Sequence, residues 1–92
     1  MITLNVSPDG REMTVEGHAG GVYGRDIVCA GVSALVCTLA IFLEDDPGAS
    51  VTLRSGFARF RVSSRRSREA VRFAAMGIEQ CIKDQGKDKQ YD

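Results

Sequence analysis

Between Asp26 and Glu44 the chain carries no charged side chain, and the seventeen residues from Ile27 to Leu43 are apolar or small. A membrane span needs about 20 mostly apolar residues, and Cys29, Ser33, Cys37 and Thr38 dilute this run further. A buried helix is the expectation instead. Asp26 stands where an N-cap belongs, and Pro47-Gly48 supply the stop. Glu44-Asp45-Asp46 then place negative charge at the negative end of the helix, an unfavourable position. A helix that is apolar all round is covered on more than one side. In so small a domain one sheet covers only one side, so a homodimer is expected, the second subunit covering the rest.

The segments on either side of this run are strand pairs. Ile2, Leu4 and Val6 alternate with Thr3 and Asn5, and Met13 and Val15 alternate with Glu12, Thr14 and Glu16. Such period-two alternation marks half-buried strands, and Ser7-Pro8-Asp9-Gly10 between them is a turn. Val51 to Leu53 and Phe57 to Val62 repeat the pattern around Ser55-Gly56, with Ala58, Phe60 and Val62 on one face and Phe57, Arg59 and Arg61 on the other. Ser67 is the expected cap of a last helix running to about Gln85, with Gly86 as its stop. Val71, Ala74, Ala75, Ile78 and Ile82 form its apolar stripe. The order ββαββα predicts an α+β fold, a four-stranded, mainly antiparallel sheet with two helices.

Ninety-two residues suit one domain, predicted over residues 1–86 with a charged tail at 87–92. Net charge is zero, so no global field points to nucleic acid or an anionic membrane. The three cysteines, Cys29, Cys37 and Cys81, show no paired spacing. No basic region precedes a hydrophobic one at the N-terminus, so a reducing cytoplasm is the expected compartment. Cys37 and Cys81 read as core residues. One histidine and scattered thiols lack the close ligand pairs of a zinc site, and no metal or cofactor is expected.

Chemistry is concentrated between His18, the only histidine, and Cys29. Gly20, Gly21 and Gly24 lie between them and loosen the backbone. With Asp26 as cap, Cys29 falls in the first helical turn, where unpaired N–H groups and the helix dipole favour a thiolate. An imidazole nearby takes the thiol proton and later delivers it to a leaving amine. Amides of the same turn are placed to receive an oxyanion. One His and one Cys at this spacing are also compatible with a thiol that merely packs.

Gly17-His18-Ala19-Gly20, then Gly24, Asp26-Ile27-Val28-Cys29-Ala30 and Val32-Ser33 resemble the signature of the ribosomal-processing cysteine protease family, Prp. Both blocks occur in the right order and separation, and the chain's length and layout fit. The resemblance implies that His18 is the general base and Cys29 the nucleophile, with Gly24 the pivot of a mobile loop. It also matches Asp26 and Ser33 to polar motif positions. Asp26 is open to two roles, helix cap and orienter of His18; Ser33 either supports the site or packs. Departures include Val22-Tyr23 before Gly24 and Gly31 where the family often has alanine. The implied substrate is the N-terminal extension of large-subunit ribosomal protein number twenty-seven; family members also act on phage structural proteins.

A rival reading rests on Arg54, Arg59, Arg61, Arg65, Arg66, Arg68 and Arg72, opposed within that span only by Glu69. Such a run is either a solvated face or a patch for phosphates, the latter giving a non-catalytic ribosome- or RNA-binding module. A redox-sensing thiol is a third reading, without an obvious resolving partner: Cys37 is two turns along the same helix.

Overall fold

The computed structural model describes residues 2–17 and 27–83. The expected tail at 87–92 lies outside them. Six elements follow in order: β1 (Ile2–Val6), β2 (Glu12–Gly17), α1 (Ile27–Phe42), β3 (Ser50–Arg54), β4 (Phe57–Arg61) and α2 (Arg65–Lys83). The strands form one antiparallel sheet in the order β1-β2-β4-β3, so the two hairpins join through their second strands. The expected α+β architecture is the one observed.

Register follows from alternation. Met13 lies opposite Phe60 and Val15 opposite Ala58, which puts these four buried side chains on one face with Ile2 and Val62. Glu12, Thr14, Arg59 and Arg61 occupy the other, which no helix among the described residues covers. Onto the apolar face α2 lays Val71, Ala74, Ala75 and Ile78, and α1 with the turn after it adds Val32, Leu39 and Leu43.

The helices pack antiparallel to each other. A Cβ at Gly31 would lie 3.1 Å from Cys81 Sγ, and one at Gly77 would lie 2.9 Å from Leu35 Cδ1. Glycine at these two places lets the backbones approach, and Gly31 is matched to the bulk of Cys81. At the far end the Arg66 guanidinium stacks on the Phe42 ring at 4.0 Å.

Two expectations are corrected. The last helix begins at Arg65, because Ser64 and not Ser67 is its cap: Ser64 Oγ accepts the Ser67 amide at 3.1 Å, an interaction worth about 1 kcal/mol. Ser67 is instead fully buried, and its hydroxyl donates to the Asp46 carboxylate. Cys37, expected in the core, is exposed. In α1 only Val32 and Leu39 are buried among the residues from Ala30 onward, and Ile41 is 66% exposed. Within this chain, then, the helix is covered on its sheet side and along α2, and its remaining flank is open.

Asp46, read from sequence as an unfavourable charge, is a clasp. It receives the Ser67 hydroxyl, the Gly48 amide at 2.9 Å and the Ser64 hydroxyl at 3.5 Å. These donors, Ser67 first and Gly48 next, hold its carboxyl below the ordinary carboxylate range. A lowered folded-state value means that stabilisation is present above the unfolded value of about 4 and is lost as pH falls through the folded one. Asp46→Asn is therefore expected to lower the melting temperature at pH 7, with the gap to wild type closing in acid below about pH 4; a series of thermal melts checks this.

Candidate active site

A cleft of about 380 Å³ opens between the first half of α1 and the sheet. Its floor is apolar, built from Ile2, Val15, Leu53 and Ala58. Val32, Ser33, Val36 and Cys37 form its wall, recurring at the spacing that puts residues on one side of a helix. The rim is made by Gly17 and the Arg54–Phe57 turn.

Local sequence explains each part. The β3–β4 hairpin turns on Ser55-Gly56, with Gly56 at φ +71°, a conformation that glycine adopts without strain. Gly17 ends β2 at φ +103°, and its amide donates to the Gly56 carbonyl at 2.8 Å. That bond joins the end of the first hairpin to the turn of the second. Arg54 stacks over Phe57 at 4.4 Å, which directs the one charged group among the described rim residues along the outer sheet face.

Of the residues singled out from sequence, Ser33 is exposed and lines the cleft. Cys29 stands in the first turn of α1, three and four residues before Val32 and Ser33. His18, Gly24 and Asp26 lie outside the described residues; His18 directly follows Gly17 at the rim. The sequence reading missed Leu53, Phe57 and Cys37 as cleft residues. Leu53 alternates like any half-buried strand residue, and nothing local distinguishes the open flank of a uniformly apolar helix.

The arginine run does not make one surface. Arg54, Arg59 and Arg61 lie on β3 and β4, where Glu12 Oε1 is 3.7 Å from Arg59 and 3.6 Å from Arg61. On α2, Arg65 pairs with Glu69, Arg66 with the Phe42 ring, and Arg72 donates to the Pro8 carbonyl. Pairs this exposed contribute little stability, and the arginines are spread over three elements, β3, β4 and α2. Among the described residues no group of three or more His, Cys, Asp or Glu is placed to hold a metal ion, and no helix is long and apolar enough to cross a membrane.

Comparison with known proteins agrees with this arrangement. The family model for cysteine protease Prp matches residues 1–90. A crystal structure of the ribosomal processing protease Prp from S. aureus with a covalently linked product peptide superposes with a TM-score of 0.73 at 23% identity, over 91% of each chain. A second, of the S. aureus protease with a substrate peptide, gives 0.66 at 19% identity, over 99% of this chain and 97% of the other. At these identities the likeness of the structures is one of fold. No curated protein matches. With nearly its whole length matched by the family model and its ββαββα fold shared with those proteases, this chain belongs to the Prp family of cysteine proteases.

Proposed function

We propose that this cysteine protease removes the N-terminal extension of large-subunit ribosomal protein number twenty-seven, with Cys29 as nucleophile and His18 as base. The observation that carries the reading is the cleft: its wall continues α1 from the turn that holds Cys29, and its rim ends at Gly17, the residue before His18. His18 takes the Cys29 proton, and the thiolate adds to the scissile carbonyl. The first-turn amides of α1 receive the oxyanion. Collapse breaks the C–N bond as His18 protonates the departing amine, leaving a thioester that water hydrolyses. Gly24 serves as the pivot of a loop that closes over the peptide. Asp26 caps α1, orients His18, or does both; Ser33 supports the site from the cleft wall.

The S. aureus structures carry peptides, which supports a peptide in the corresponding cleft here. Residues 1–86 would constitute the protease domain, 87–92 a charged tail, and the cytoplasm the compartment. The open flank of α1 supports a homodimer. The divided arginines offer no single patch for RNA and favour the protease over the binding module.

Thiol labelling tests the nucleophile directly. Near pH 7, Cys29 is expected to react with iodoacetamide at least ten times faster than Cys37, as a cysteine of lowered pKa does. Cys37 is exposed in the single chain but lies on the flank a second subunit would cover, so labelling is repeated after denaturation in urea, where the contrast is expected to disappear. Equal rates in the folded protein, read by peptide mass analysis, would sink the assignment.

A further inference from the structure

We propose that the peptide substrate docks as a fifth strand on the open edge of β3, parallel to it, with alternate side chains dropping into the cleft. The inference rests on the protease reading and adds the way the substrate backbone is held.

The ladder shows which groups are free. The Val62 amide donates to the Arg11 carbonyl at 2.8 Å, so the even-numbered residues of β4 turn their backbone groups to β2 and the odd-numbered ones to β3. Their partners across β3 are Ser50, Thr52 and Arg54, which leaves the amides and carbonyls of Val51 and Leu53 pointing away from the sheet. The strand order ends at β3, so no strand among the described residues receives them.

This edge is built to accept a strand. Edges are commonly blunted by proline, lysine or a bulge, whereas β3 reads Ser-Val-Thr-Leu-Arg, pairs without interruption and is exposed along its length. Val51 and Leu53 lie opposite the buried Phe60 and Ala58, on the helix-facing side of the sheet. They nevertheless remain 37% and 49% exposed. Leu53 also lines the cleft, across from Ser33 and Cys37. An added strand would satisfy the free backbone groups and place every second side chain between Leu53 and α1. Among the described lining residues Arg54 alone is charged, and it is stacked on Phe57 at 4.4 Å, which leaves an apolar floor that selects uncharged, apolar side chains.

Direction follows from the chemistry. β3 runs toward the Ser55-Gly56 turn, which meets the end of β2 and the first half of α1. Cys29 is at that end. The acyl-enzyme retains the segment on the N-terminal side of the cut while the amine product leaves, so this segment is the one that must be held. Its carbonyl end lies at Cys29, and it therefore runs the same way as β3. In a parallel pair one substrate residue donates its N–H to Val51 and accepts from Leu53, and the N–H two residues later meets the Leu53 carbonyl.

The test is an amide-to-ester scan of a fluorescein-labelled peptide spanning the extension junction of the host's ribosomal protein. Affinity for the Cys29→Ala protein and cleavage by wild type are both measured. Removing one N–H at a time is expected to weaken binding about 3- to 10-fold at two positions two residues apart on the N-terminal side, with the intervening ester neutral. Leu53→Pro removes an amide outside the ladder, at an edge where proline is tolerated, and is expected to weaken binding more than Leu53→Ala does, with the melting temperature as control. Cleavage of the parent peptide with a flat ester scan overturns the strand while leaving the protease. Alternating affinity without cleavage upholds the strand and rejects the proposed reaction. A peptide neither bound nor cut rejects both.

Discussion

Cys29→Ala is expected to lower cleavage of the junction peptide by a factor on the order of 10³ or more, since in the proposed mechanism the Cys29 sulfur carries the acyl group. His18→Ala is expected to cost about 10²- to 10⁴-fold, the usual contribution of a positioned acid–base group. The double variant should be hardly worse than Cys29→Ala alone, because residues that act as one unit are not additive. Both single variants are expected to melt close to wild type. Cleavage that survives Cys29→Ala would remove the nucleophile from the mechanism, whereas survival in His18→Ala alone would shift the base elsewhere.

The largest effect on stability is expected at Phe60. This side chain is fully buried at the centre of the apolar face, opposite Met13 on one neighbouring strand and Val51 on the other. Truncation to alanine removes a ring from a site that the helices cannot collapse to fill, because α1 and α2 are already in close contact at Gly31 and Gly77. A cost of about 3–5 kcal/mol is expected for Phe60→Ala, against a total of about 5–14 kcal/mol for a domain of this length. Urea denaturation should show a lower midpoint at unchanged slope. A shift under about 1 kcal/mol would mean that the core repacks around the missing ring.

What could be read from sequence divides along physical lines. Strand alternation at Ile2–Val6, Glu12–Gly17 and Phe57–Arg61 is set by each residue's own neighbours, and these elements were legible with the helices they alternate with. The start of α2 was not. Ser64 and Ser67 are both good caps, and the choice between them is tied to Asp46, which binds both hydroxyls from another part of the chain. Cys37 misled for a similar reason: a helix apolar on every side does not say which flank the sheet will leave open. The motif groups His18, Gly24, Asp26, Cys29 and Ser33 because they are close in sequence, and of these the described cleft contains Ser33. The far wall of the cleft, Leu53 to Phe57, depends on strand order and was not legible.

The bond from the Gly17 amide to the Gly56 carbonyl has a mechanical meaning for the proposed chemistry. It hangs the chain leading into His18 from the β3–β4 hairpin, while Cys29 rides on α1. Gly17, the residue before the proposed base, and the α1 turn that holds the proposed nucleophile thus belong to opposite jaws of the cleft. If His18 and Cys29 act as proposed, the width of the gap between hairpin and helix is the quantity that a bound peptide would have to match.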